Sequence, residues 1–519
     1  MKRFARTAVS VLMLICLLGV SSCSKFMLGR EETVVMPDEE TGTVTIPEKG
    51  CPIEFPKRKP YEYDMEITLD TETNTVGGHV VIDFYNDSSD PWNELCLRDY
   101  PSLFDNDDVY ARQKKNGGGI TEITNVKDSR SGEIEIERDG GDDSVVWLKL
   151  SKELKPGNAM KLSYDFVTKI PNNPDRFGFS NDIYNVTNFY PILAEYVDGD
   201  WSCAAYFTVG ECFYSEISNY NVRLTVPEGY TVASTGETKG SSSKDGKLTY
   251  TFEAPYVRDF VFCASKIFQN VQRKVEGIKV NLFYNRENPP GKDMDKVTDV
   301  TFKSAETSFK AFGDAFGKYP YAELDIIITP MAAGGMEYPN LIIITDYVCN
   351  ASFSMYSEYD QLEVVVCHEI AHQWFMGIVG SNSGEEPWLD ESMASYAEIV
   401  YYEYVGGDVE RKQTDGFSKN KANIFKYWKS GDKLDKAYSE FNGEADYTMK
   451  VYTDGKAALY QMEEIIGREK FHGIIRGYVK RNAFKNASTK DFLKALFDCA
   501  GKDNDELNEL VAKLFRTKI

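Results

Sequence analysis

The stretch from Val364 to Ala394 constrains this 519-residue chain more than any other, because it sets His368, Glu369 and His372 on one helical pattern and Glu391 on the next. Residues four apart on an α-helix lie one above the other, so the imidazoles of His368 and His372 can converge on one ion. Gly377, Gly380, Gly384 and Pro387 break the first pattern, and an apolar periodicity resumes from Leu389 to Tyr404. Eighteen residues separate His372 from Glu391, which is the obvious third donor. Two imidazoles and a carboxylate at roughly 2.0–2.2 Å, with a fourth position left to water, are an established catalytic zinc set. One Zn2+ per chain is therefore the expected cofactor. Glu369 points to the side of that centre, where it can accept a proton from water acidified by the metal to a pKa of about 7 and pass it to a leaving amine.

A chance His-Glu pattern on an amphipathic helix is the plain alternative, and composition argues against it. The chain has 4 histidines, and two of them fall at this spacing inside a frame of Val364, Val365, Val366, Ile370, Ala371, Trp374 and Phe375. Burying two imidazoles and a glutamate there is costly unless they are paired or bind a metal. His79 and His472 show no ligand spacing and read as surface or satisfied structural residues.

Two further segments narrow the reading. Gly334-Gly335-Met336-Glu337-Tyr338-Pro339 lies between the apolar runs Leu324 to Thr329 and Leu341 to Thr345, which read as neighbouring strands. Paired glycines let backbone approach a ligand closely, and the Glu337 carboxylate could hold a free ammonium; a glycine-rich hairpin with an exposed glutamate fits the local sequence equally well. Val451-Tyr452-Thr453-Asp454-Gly455 opens a helical stretch through Leu459, Met462 and Ile465. A phenol at 452 could donate to an oxyanion, or simply be one of the chain's 32 tyrosines in a structural role.

Together these motifs resemble the aminopeptidase N family of gluzincin metallopeptidases. The resemblance rests on Gly334 to Pro339, His368 to Trp374, Trp388 to Ala394 and Tyr452 to Gly455. Weaker echoes lie in Gly317-Lys318-Tyr319-Pro320-Tyr321 and in Val226 to Gly236. It implies an N-terminal β-sandwich or saddle-like domain followed by a thermolysin-like catalytic domain, an α+β multidomain chain. It also implies that His368, His372 and Glu391 bind zinc, Glu369 is the general base and Tyr452 stabilises the transition state. Glu337, with Gly334, Gly335 and Met336 beside it, would hold the N-terminal amine of a peptide. Glu398, two helical turns beyond Glu391, is a candidate partner for a ligating histidine or a solvent-facing glutamate. The chain departs from the family in Asp454 before Gly455, where Lys is usual. It also departs in the expected lack of a large C-terminal helical domain and of a clear second amine anchor.

The remaining sequence sets the context. Lys2, Arg3 and Arg6 precede an apolar run from Ala8 to Val20 and then Val20-Ser21-Ser22-Cys23, which reads as a secretory signal too short to span a bilayer comfortably. Cys23 adds a bacterial lipoprotein reading, with lipid on its thiol and new amino terminus and an envelope membrane, outer membrane expected, as the site. The expected organisation is 1–22 signal, 23–50 acidic tether, 51–269 β-rich domain and 270–519 catalytic domain. A formal charge of −22, more negative still once the three basic leader residues leave, argues against nucleic acid as a partner. Of 10 cysteines, Cys203 and Cys212 form the nearest candidate disulfide pair. Cys367 faces away from His368 on the helix and reads as a buried thiol. The reading is thus a zinc aminopeptidase acting on peptides with a free N-terminus. A zinc endopeptidase on the same scaffold and a non-catalytic peptide-binding relative are the alternatives.

Overall fold

Alternation of inward apolar and outward polar side chains builds the first half of the molecule. In the strand Tyr61–Asp70, Tyr63, Met65, Ile67 and Leu69 are buried while their neighbours face out, each contributing roughly 1.5–3 kcal/mol on burial. The computed structural model describes residues 42–105, 119–203, 213–349, 360–407, 428 and 431–518. Among them, Tyr61–Asp70 sits inside an eight-stranded sheet, antiparallel to Thr75–Tyr85 and parallel to Ser218–Pro227. Asp245 and Gly246, both at positive φ, make the tight hairpin between Glu237–Lys244 and Lys247–Val257. Two four-stranded sheets pack with it, one around Trp92–Arg98 and Val145–Leu154 and one around Ile183–Val186 and Phe262–Ser265.

The second half begins with the strand Phe268–Val275, which pairs with Ile278–Asn285 in a five-stranded sheet. Ile278–Asn285, Glu323–Thr329 and Leu341–Thr345 run parallel, and the last two are buried at every residue. Continuous apolar runs such as Leu341-Ile342-Ile343-Ile344 are what a parallel strand covered on both faces requires. Among the described residues the α-helices are α1 (Met294–Phe316), α2 (Asp360–Ala371), α3 (Trp388–Val405), α4 (Glu444–Thr448), α5 (Gly455–Ile466), α6 (Arg468–Asn482), α7 (Thr489–Ala500) and α8 (Asp505–Leu514). Asp293 caps α1 by accepting from the Lys296 amide at 3.1 Å. At its other end Gly317 adopts φ +109 and turns its carbonyl to the Trp374 indole at 2.8 Å. Phe312 and Phe316 of α1 meet Trp374 and Phe375 edge-on, so α1 supports the end of the helix that carries both histidines.

Three expectations change or fall outside this description. Residues 42–50, read as part of a tether, are held against α6 and α7: the Val44 amide donates to Asp498 at 2.8 Å, and Arg476 and Arg481 donate to the Pro47 and Gly42 carbonyls. Gly473 and Gly477 leave the room this segment needs, since a Cβ at 477 would overlap the Thr45 carbonyl. The segment's buried apolar residue, Val44, lies outside any periodic pattern, which is why the sequence conceals it. The signal segment, Cys23 and Cys212, and with it the candidate pair Cys203–Cys212, lie outside the described residues; Cys203 lies near the buried Cys96. Cys367 is fully buried, and burial pushes its thiol up. Among the described residues no helix is long and apolar enough to cross a membrane.

Arg258 joins the two halves. Its guanidinium donates to the carbonyls of Ser215 at 2.9 Å, Met376 at 2.6 Å and Lys485 at 2.8 Å, and to the Asn486 side chain. Gly380 makes this possible, because any Cβ there would overlap the guanidinium. Replacing Arg258 with Ala strands buried carbonyls and is expected to cost about 3–5 kcal/mol, read as a fall in the denaturation midpoint with secondary structure retained before the transition.

Candidate active site

The end of α2 and the start of α3 bring three donor atoms to one point. His368 Nε2 lies 3.1 Å from His372 Nε2, and Glu391 Oε2 lies 3.4 Å from each. Helix α2 ends at Ala371, yet His372 stays on its face because its amide still bonds the His368 carbonyl at 3.3 Å. Two edges of this triangle, at 3.4 Å, are what donors about 2.0–2.2 Å from one tetrahedral ion would show, and the third is a little shorter. Glu391 Oε2 is buried without a hydrogen-bond partner among the described residues, an orphan that a cation bound there would satisfy. The residues present therefore fit zinc.

Each imidazole is aimed by a carboxylate on its far nitrogen. His372 Nδ1 meets Asp390 at 2.6 Å, with both groups buried, and Asp390 also accepts from Ser383 at 3.1 Å. His368 Nδ1 meets Glu398 at 2.9 Å, and Glu398 in turn takes the Lys456 ammonium. Burial alone would lower the His368 pKa, but Glu391 and Glu398 outweigh it and raise the group to about 9. His372 is raised well above the ordinary value despite burial, through Asp390, Glu337 and Glu391. Burial likewise acts to raise Glu391, yet the two imidazoles hold it far below the usual carboxylate range. The point between the donors is thus a focus of negative potential suited to a cation.

The remaining predicted residues converge on the same centre. Gly335–Met336 is an edge strand paired antiparallel with Ile343 and Ile344, so the segment extends the sheet rather than looping free as an exposed hairpin. Glu337 is 4% exposed, and a carboxylate oxygen of it lies within 4.8 Å of His372 and Asp390 donor atoms. Gly335 is required here: a Cβ would overlap the Glu369 carboxylate, which packs against this backbone. Tyr452 stands in a π-helical turn, Met449–Asp454, with its ring stacked at 6.1 Å on His368. Burial and the nearby Glu391 raise its phenol well above the ordinary value, so it stays protonated as a donor. Ser392 accounts for Gly455: its hydroxyl donates to the Val451 carbonyl at 2.6 Å, and a Cβ at 455 would strike it.

Sequence reasoning missed three supporting residues. Asp390 and Gln373 each adjoin a ligand, and that adjacency was the available signal. Gln373 donates to the Tyr338 carbonyl at 3.0 Å and accepts from the Asn340 amide at 2.9 Å, locking the Glu337 segment to the metal helix. Lys456 follows the noted Asp454-Gly455 and gave no signal of its own. Behind the segment, a cavity is lined by Met336, Tyr338 and Met376 from one half and Tyr190, Arg258 and Asp259 from the other.

Residues 300–514 match the model of the peptidase family M1 domain. Over that stretch, less than half of the chain, it is similar to the M1 peptidases. It is 25% identical to aminopeptidase N of Streptomyces lividans over 301 residues, 55% of this chain and 34% of that one. It is 29% identical to the leukotriene A-4 hydrolase of Xenopus laevis over 213 residues, 40% of this chain and 34% of that one. Aminopeptidase 2 of Candida albicans aligns over 86% of this chain at 23% identity, covering 46% of the relative. The chain thus matches less than half the length of these relatives. Its fold is that of the M1 zinc metallopeptidase from Deinococcus radiodurans, with TM-score 0.63, 18% identity, 91% of this chain and 98% of that one covered. A mutant of that protein, bound to a Tyr-Ser-Ala substrate, is similar at TM-score 0.61.

Because the Asp390 carboxylate fixes the tautomer and direction of His372, this centre is expected to lose about 10- to 100-fold in zinc affinity on Asp390→Asn, measured by competition with a calibrated chelator.

Proposed function

We propose that the chain is a zinc-dependent aminopeptidase that removes N-terminal residues from peptides. The observation that carries this reading is the buried Glu337 carboxylate beside His372 and Asp390. One residue spans at most about 3.3–3.6 Å. A free ammonium held at Glu337 therefore leaves room for a single residue before the scissile carbonyl reaches the donors of His368, His372 and Glu391. A mid-chain peptide bond brings no ammonium to that carboxylate.

Zinc, when bound, supplies Lewis acidity, polarising the carbonyl and making water acidic enough to attack near neutral pH. His368, His372 and Glu391 would hold it. Glu369, kept against Gly335 by close packing, takes the proton from the attacking water and delivers it to the leaving nitrogen. Tyr452 donates its phenolic proton in a hydrogen bond to the oxyanion. Glu337 binds the ammonium and fixes the register. The aminopeptidases among the M1 relatives and the Tyr-Ser-Ala complex of the Deinococcus mutant support the peptide substrate.

Aminoacyl reporter amides with and without an acetylated amine test the assignment. Chelator-sensitive cleavage restricted to the free-amine set is expected; equal cleavage of both sets would make the protein an endopeptidase. Glu369→Gln is expected to retain zinc while losing turnover, and silence of the wild type on both sets with zinc bound would indicate a peptide-binding role. Tyr452→Phe should lower kcat about 100- to 1,000-fold.

We also propose that the protein is exported and held at the bacterial envelope by lipid on Cys23, a reading supported by the basic, apolar and small-residue order of residues 1–23. Cys23→Ser is expected to move the protein from the membrane to the soluble fraction; unchanged membrane association would refute the anchor.

A further inference from the structure

A second group of metal-type donors lies at the far end of α3. His472 of α6 points Nε2 at Glu403 Oε2, 3.4 Å away on α3, and at Glu463 Oε2, 3.8 Å away on α5. Both carboxylates are nearly inaccessible, with side chains 3% and 5% exposed. Glu403 stands 12 residues beyond Glu391 on the same helix, so this group lies about 18 Å along the axis from the zinc donors. None of its members belongs to the machinery above.

The geometry is that of a cation site rather than of a hydrogen-bonded histidine. An N–H···O bond has its mode near 2.9–3.0 Å, whereas both separations here exceed it, and His472 Nε2 is buried with no hydrogen-bond partner among the described residues. Donors about 2.0–2.2 Å from a tetrahedral ion lie about 3.3–3.6 Å apart. The separation of 3.4 Å falls within that range, as the 3.4 Å edges at Glu391 do, and the separation of 3.8 Å lies just beyond it. Arg468 meets Oε1 of Glu403 at 2.8 Å and Oε1 of Glu463 at 3.5 Å, and the Oε2 atoms of both carboxylates lie toward His472. The Tyr396 hydroxyl donates to Glu463 Oε2 at 2.6 Å, orienting a donor as Asp390 orients His372.

Electrostatics agree with the geometry. Burial lowers His472 to about 4, so its imidazole is neutral with a lone pair to give. Burial and the adjacent Glu403 push Glu463 up to about 7, the expected strain of two carboxylates sharing a dry site with too little positive charge.

We propose that Glu403, Glu463 and His472 form a second site for a divalent transition-metal cation of the Zn2+ or Mn2+ class, clamping α3, α5 and α6 together behind the active site. The half-exposed Arg468, 42% accessible, is the solvent side of the site and the route of entry. The sequence hides it because its donors come singly from three helices, 60 and 9 residues apart.

The test counts metal on the full-length protein, stripped with chelator and dialysed against Zn2+ alone or Mn2+ alone. Two equivalents are expected for the wild type, one for His472→Ala and one for His368→Ala. One equivalent in the wild type, or two persisting in His472→Ala, would overturn the site while leaving the catalytic zinc untouched. If His472→Ala fails to fold, anomalous diffraction from metal-soaked wild-type crystals decides. A peak between His472 Nε2 and the two Oε2 atoms is the expected result. Its absence beside an occupied catalytic peak would mean that Glu403 and Glu463 share a proton instead.

Discussion

Everything in the catalytic half leans on the contact between His372 and Asp390. An imidazole and a carboxylate 2.6 Å apart, both cut off from water, couple the end of α2 to the first turn of α3. Neither could be buried alone without a cost of several kcal/mol. Together they fix which nitrogen faces the metal, and α1 and Trp374 hold the helix end from behind. The pair His368–Glu398, tied on by Lys456, repeats the device one turn earlier and recruits α5. The centre is therefore rigid through its supports, a condition for stabilising developing charge without rearrangement.

The helix–break–helix unit was legible because its constraint is periodic: His368, His372 and Glu391 occupy spacings that only one local geometry satisfies. The parallel strands were legible for the same kind of reason, since an all-apolar run such as Leu341 to Ile344 has few other uses. What stayed hidden depends on long-range packing. Val44 seals a segment against helices more than 400 residues later, and nothing near Val44 announces it. Gly335 read as a residue that lets backbone approach a ligand and Gly455 as part of a helix start, but the work of both is steric: one yields to Glu369 and the other to Ser392. Whether Glu337 is a buried carboxylate or an exposed one on a hairpin could not be read from its neighbours, because the answer rests on the pairing of Gly335 and Met336 with Ile344 and Ile343.

Helix α3 acts as a spine for charge. Asp390, Glu391, Glu398 and Glu403 all sit on it, and each is matched by a group from another element: His372 and His368 from the end of α2, Lys456 from α5 and Arg468 from α6. A helix carrying four buried or half-buried acids would be a liability in isolation. Here the acids give the helix its address, since each partner specifies a neighbour, and this specification explains why a helix with little amphipathic contrast packs in one orientation.

The edge strand sets a length scale. Glu337 hangs from Gly335–Met336, whose position is fixed by pairing with Ile343 and Ile344 and by Gln373 on the metal side. Strand pairing is quantised: a slip of one residue would turn the carboxylate to the opposite face, and a slip of two would carry it about 6.6 Å along the strand. The enclosure between ammonium and metal can therefore change only in discrete steps. On the proposed aminopeptidase reading, descendants of this scaffold that release dipeptides instead of single residues would have to re-thread the sheet edge, and point substitutions around the pocket would alter which residue fits without altering how many.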